Sequence, residues 1–172
     1  GKVITFKQLD EYSTAFASYL TNDLKLQKGD KVAIQLPNIL QNPIAIHGAL
    51  KAGMVVVNTN PLYTPSEMKH QFRDSGAKAI LILANFACNL EEVLADTDIE
   101  HIIITKLGDW IGGLKGAIVN LVVKHVKKMV PAYNLPTAVD FKDAIAKGRQ
   151  RSFSAPDIVA SDLAFLQYTG GT

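Results

Sequence analysis

A chain of 172 residues, 48% of them apolar, is long enough to bury one sizeable core, either as a domain or as one lobe of a larger one. Its 18 Lys and Arg against 16 Asp and Glu leave a net charge of +2, which excludes the global basic field of a nucleic-acid binder and makes any basic patch local. The single cysteine, Cys88, excludes an internal disulfide framework and paired-thiol zinc sites and fits a reduced, cytoplasmic setting.

Gly1 stands where a Met would open a gene product, and structural signal begins at once. The chain therefore reads as a piece of a longer protein with no secretory leader. Thr5 and Gln8 have capping-box spacing, and Leu9, Tyr12, Phe16, Tyr19 and Leu20 follow at helical steps, which predicts an amphipathic helix. Lys31 to Leu36 and Met54 to Val57 are short, apolar and rich in β-branched residues, bounded by Gly29-Asp30, Pro37-Asn38 and Asn58 to Pro61. Both read as buried strands. Between them Ile39 to Ala52 has helical periodicity and ends at Gly53, where a left-handed residue is needed. Strand, helix and strand make a βαβ unit, and a parallel pair needs that crossover. Thr64-Pro65-Ser66-Glu67 is a second capping box, with Pro where its missing N–H costs nothing, and the helix it opens stops at Gly76.

Ala79 to Leu83 supplies a third strand, and Asn85 or Asn89 is expected to cap a helix through Leu90, Val93 and Leu94. Glu100 to Thr105 is a fourth strand. Leu114 to Val130, closed by Pro131 and Pro136, reads as a separate helix, and Phe141 to Ala146 as a short one ending at Gly148. A basic loop from Arg149 to Pro156 leads to a fifth strand, Leu163 to Tyr168. The fold class is α/β: a mostly parallel sheet with helices on both faces.

Tyr168-Thr169-Gly170-Gly171-Thr172 directly follows the fifth strand. Glycines let backbone amides turn toward an anion and threonine hydroxyls add donors, so the loop suits phosphate. A tight turn that uses glycine for its dihedral freedom is the competing reading. From Trp110 to Val139 there is no Asp or Glu, whereas Lys115, Lys124, Lys127 and Lys128 are present. On a helical wheel Asn120, Lys124, Lys127 and Lys128 share one flank, and Leu114, Ile118, Leu121, Val122 and Met129 the other. Such a helix suits an anionic membrane surface, with Trp110 at the headgroups; it equally suits packing on its own lobe with the lysines in water. His47, His70, His101 and His125 lie on separate elements without ligand spacing, so no metal site is expected, and His47 is expected to pack within its helix. Ser75 reads as a helix end, Cys88 as a small core residue, and Lys147, Arg149 and Arg151 as a solvated loop.

Tyr168 to Thr172 resembles the opening of the phosphate-binding loop of adenylate-forming enzymes. Thr5-Phe6-Lys7-Gln8-Leu9, Lys28-Gly29-Asp30-Lys31-Val32-Ala33, Gly48-Ala49-Leu50-Lys51-Ala52-Gly53 and Asn60-Pro61-Leu62-Tyr63-Thr64-Pro65-Ser66-Glu67-Met68 resemble that family's blocks in order. Asn60 to Glu67 and Leu166 to Thr172 are most similar to bacterial long-chain fatty acyl-CoA ligases, and the insertion of about residues 107–136 fits that branch. The resemblance implies that residues 1–172 are one lobe of the large N-terminal domain, ending inside the phosphate loop. It implies use of ATP, Mg2+ and coenzyme A on a long-chain fatty acid, with Tyr168, Thr169, Gly170, Gly171 and Thr172 holding ATP phosphates. The phosphate-loop lysine and magnesium-binding acid of the family lie beyond Thr172, so no catalytic residue is expected here and the isolated piece is expected to be inactive. A medium-chain or coumarate-type ligase and a non-catalytic flavodoxin-like binding module are the alternatives. A cytoplasmic enzyme touching the membrane surface through residues 110–130 is the expected setting.

Overall fold

The computed structural model describes residues 2–169. Helix α1 (Phe6–Asn22) opens on the expected capping box: the Thr5 hydroxyl accepts from the Gln8 N–H, and the Gln8 side chain accepts from the Thr5 N–H. Strand β1 (Lys31–Gln35), helix α2 (Gln41–Lys51) and strand β2 (Val55–Asn58) complete the first βαβ unit. Gly53, with φ 72°, makes the left-handed turn between the last two.

Helix α3 (Pro65–Ser75) is capped reciprocally by Thr64 and Glu67, and the two hydrogen bonds from Thr64 hold the Glu67 carboxyl below its ordinary range. The helix ends on Gly76 at φ 63°, and a Cβ built there meets nothing within 4 Å. Gly76→Ala is therefore expected to lower stability only by the backbone cost of a left-handed alanine, about 1 kcal/mol. A denaturant midpoint comparison with the parent checks it.

Strand β3 (Ala77–Leu83) leads through a tight turn into helix α4 (Ala87–Val93), then strand β4 (His101–Thr105). Neither Asn85 nor Asn89 caps α4. The tight turn precedes the helix instead, and the Asn85 amide donates to the Met129 carbonyl at 2.9 Å. The single helix expected from Leu114 to Val130 is shorter and divided: α5 (Gly113–Leu121) runs into a π-helical turn, Val122–Val126, and the backbone leaves it at Lys128 with φ 49°. A two-residue strand, β5 (Val139–Asp140), precedes helix α6 (Phe141–Gly148) and the last strand, β6 (Phe165–Gln167). β5 is too short to show a sequence period.

All described pairings are parallel, in the order β5-β4-β3-β1-β2-β6. From β1 the chain steps one way to β2 and then returns across β1 to β3. Right-handed crossovers that run in opposite directions must lie on opposite faces of the sheet. Accordingly α2 packs with α1 and α6 against Val32, Ile34, Val56 and Leu81 on one face, while α3 and α4 cover Ala33, Val57, Ile80 and Ile82 on the other.

Candidate functional site

β1 sends its chain to one face of the sheet, and both of its neighbours send theirs to the other, so the connections part above the carboxyl end of β1. A parallel sheet opens its binding crevice at such a place. Here a cleft of about 570 Å³ is walled by Asn38 and Asn42 after β1, Asn58 at the end of β2 with Thr59 and Asn60 after it, and Gln167 and Tyr168 at the end of β6. Its described lining contains no acidic or basic side chain, only amides, hydroxyls and a few apolar groups.

The rim is fixed from below by buried amides. Gln35 donates to the Asn60 carbonyl and Gln71 to the Asn58 carbonyl, each at 3.2 Å. The Oε1 atoms of both glutamines are buried without a hydrogen-bond partner among the described residues. Across the rim Asn58 faces Gln167 in register and donates to its Oε1 at 3.0 Å. The Asn42 amide donates to the Leu36 carbonyl at 3.1 Å and so holds the loop that leaves β1. Sequence reading missed these amides as a set. The only local signal is a polar residue at the carboxyl end of β1, β2 and β6, which many turns share, and Asn42 and Gln71, on helices, carry none.

Of the residues expected to meet phosphate, Tyr168 and Thr169 are described; Gly170, Gly171 and Thr172 lie outside the described residues. Tyr168 is half-buried against the α3 face, and its hydroxyl donates to Asp74 Oδ2. Thr169 is exposed at the mouth of the strand end. Burial first, then the hydrogen bond to Asp74 and its negative charge, push the Tyr168 phenol from 10.0 up to about 12. Because the folded value is raised, the stabilisation from Tyr168 is complete below the ordinary tyrosine range and is lost as pH rises toward about 12. In an ultraviolet titration Tyr168→Phe should remove one late tyrosine ionisation and leave that of Tyr19, whose phenol is also raised, by burial and by the Asp23 charge.

Other expected positions moved. Trp110 is buried, with its ring 4.5 Å from Tyr12 in a T-shaped contact and 6.0 Å from Phe141, so it is a core residue and does not stand at a surface. His47 is exposed on α2, where the helix turns that position away from the sheet. Cys88 is half-buried rather than in the core. Ser75 did not move: it ends α3 as expected, and its hydroxyl donates to the Phe72 carbonyl. Arg149 lies 4.8 Å over the Tyr12 ring, which gives one member of the basic loop a packing partner.

Among the described residues no group of three His, Cys, Asp or Glu side chains is arranged to hold a metal. With no carboxylate on the cleft, the described residues do not fit a magnesium site. No helix among them is long and apolar enough to cross a membrane.

The sequence pattern of the AMP-binding enzyme family matches residues 1–172. The chain belongs to that family. It is 54% identical over all of its residues to the long-chain-fatty-acid–CoA ligase of Salmonella typhimurium and covers 31% of that protein. It is 32% identical to the Bacillus subtilis protein of the same name, covering 30% of it. The chain thus spans about a third of the length of these curated relatives. Among solved structures, an anthranilate–CoA ligase in complex with anthranoyl-AMP superposes with a TM-score of 0.76 at 18% identity, over 99% of this chain and 28% of that one. The long-chain-fatty-acid–CoA ligase of Archaeoglobus fulgidus gives 0.73 at 20% identity, over 98% of this chain and 28% of that one. At those identities the likeness shows the fold: the parallel six-stranded sheet with helices on both faces is that of the N-terminal part of adenylate-forming enzymes.

Proposed function

We propose that this chain is one lobe of the N-terminal domain of an ATP-dependent long-chain fatty acid:CoA ligase. The observation that carries the reading is the 54% identity, unbroken across 172 residues, to a ligase of that name. In the first step the fatty carboxylate oxygen attacks the α-phosphorus of ATP and the bond to the β-phosphate breaks, giving acyl-adenylate and pyrophosphate. In the second, the coenzyme A thiol loses its proton, attacks the acyl carbonyl and displaces AMP.

The part assigned to this chain is the grip on phosphate by the Thr169 and Thr172 hydroxyls and the backbone amides of Gly170 and Gly171. Such donors act where charge grows on the departing pyrophosphate. Magnesium would add Lewis-acid stabilisation to the same group, with ligands outside the described residues. The neutral rim of the cleft supports the reading, since its described lining holds no carboxylate to repel an anionic substrate. The enzyme is proposed to work in the cytoplasm and to contact the membrane through the exposed part of residues 110–130, without the buried Trp110.

The test is fatty-acid-dependent exchange of pyrophosphate into ATP by the full-length protein. Exchange driven by palmitate and not by octanoate or coumarate is the expected result. Exchange driven only by octanoate or coumarate would move the assignment to a medium-chain or coumarate-type ligase, and no exchange with any carboxylate would leave a binding module.

A further inference from the structure

Helix α5 is built inside out. Gly116 is its one buried residue, and the helix is held by the edge that carries Gly116 and Asn120. The Gly108 and Gly116 backbones touch so closely that a Cβ on either would lie 2.2 or 2.3 Å from the other's carbonyl oxygen. Asn120 Oδ1 accepts from the Gly108 N–H at 2.8 Å, and its amide donates to Asp109 Oδ1 at 2.9 Å. Asp109, itself buried, also accepts from the Lys106 N–H at 2.7 Å and the Thr105 hydroxyl at 3.2 Å. Asn120 is therefore turned inward, away from the lysines with which a helical wheel groups it.

With glycine and polar contacts forming the clamp, the apolar side chains point outward. Leu114 is 78% exposed, Ile118 51%, Leu121 58%, Val126 69% and Met129 52%. A helix that packs on its own lobe has the reverse arrangement. Lys115, Lys124, Lys127 and Lys128 surround this ridge, none of them paired with a carboxylate among the described residues. Beside it a cleft of about 620 Å³ opens between the π-helical turn and the ends of β3 and β4, with Lys106, Lys124 and His125 among its lining.

We propose that this face is a preorganised docking surface for an anionic lipid bilayer, in which the ridge enters the headgroup–acyl boundary, the lysines meet phosphates, and the cleft seats a headgroup. The charge pattern selects this occupant: cations ring an apolar ridge in a segment, Trp110 to Val139, that holds no acid. The clamp matters because a ridge already held outward loses little conformational freedom on binding. The inference deepens the membrane contact named above and does not depend on the ligase chemistry.

The experiment uses the full-length protein, sedimented with vesicles of phosphatidylcholine alone or mixed with phosphatidylglycerol. Sedimentation with the anionic vesicles only, weakened by salt, is expected. Replacing Lys124, Lys127 and Lys128 together by Gln should lower partitioning about a hundredfold, at about fivefold per lysine. Ile118→Ser with Leu121→Ser should lower it about tenfold or more, with palmitate-dependent exchange in detergent unchanged. Because variants can misfold, hydrogen exchange of residues 113–129 in the parent is the second measurement, and it should slow only when anionic vesicles are added. Slow exchange already present without vesicles would mean that another part of the chain or a second copy covers the ridge, and that would overturn the proposal. So would unchanged vesicle binding by both sets of variants. Loss of exchange activity in the parent would instead sink the ligase reading and leave the docking surface standing.

Discussion

Thr169→Val combined with Thr172→Val in the full-length enzyme is expected to slow acyl-adenylate formation by about a hundredfold or more, the cost of removing a donor matched to developing charge. Both hydroxyls are proposed to act on phosphate oxygens as pyrophosphate departs, so the loss should fall on kcat with fatty-acid affinity nearly unchanged. Single-turnover pyrophosphate release is the measurement. Thr169 is exposed, whereas Tyr168 is tied to Asp74 and its removal would disturb α3 as well. Release within a few-fold of the parent together with collapsed fatty-acid affinity would transfer the loop to the acyl site.

Gly148→Val is expected to be the most damaging single change to the fold described here. A Cβ at Gly148 would lie 1.9 Å from the Ala15 carbonyl oxygen, 2.8 Å from its carbon and 3.1 Å from the Tyr19 nitrogen, all backbone atoms of α1. Backbone cannot rotate away as a side chain does, so α6 and α1 must separate. Their separation would open the contact between Phe16 and Phe141, whose rings sit 5.1 Å apart. The cost should reach at least about 3 kcal/mol, the upper end for overpacking. A melting temperature lowered far more than in Gly76→Ala would bear this out. Equal shifts in the two variants would show that helix-end geometry, and not the approach of α1, is why Gly148 is glycine.

These two glycines show where sequence reading stops. Gly76 and Gly148 both follow a run of helical periodicity, and both read as helix ends. Both do end their helices, but Gly76 does so with a left-handed φ and open space around it, whereas Gly148, the last residue of α6, also makes room for a helix more than a hundred residues earlier. The strand-end amides of the cleft were hidden for the same reason. Asn58 and Gln167 are rim partners only because β6 inserts beside β2, and nothing near either residue announces that pairing.

The sequence by itself determined what is decided within a turn or two of chain. The capping boxes at Thr5 and Thr64, the left-handed turns at Gly53 and Gly76, the βα alternation and the parallel sense of the sheet all follow from side chains three or four residues apart, or from crossovers too long for a hairpin. Only the tertiary structure decided which way residues of ambiguous character face. Trp110 suits a membrane interface and a core equally well, and stacking with Tyr12 and Phe141 puts it in the core. The apolar side of α5 suits a sheet equally well, but the contact of Gly108 with Gly116 and the pull of Asp109 on Asn120 turn it to the outside. Periodicity fixes that a helix has two faces; which one turns inward depends on contacts that form between elements, and those are set by distance in space rather than along the chain.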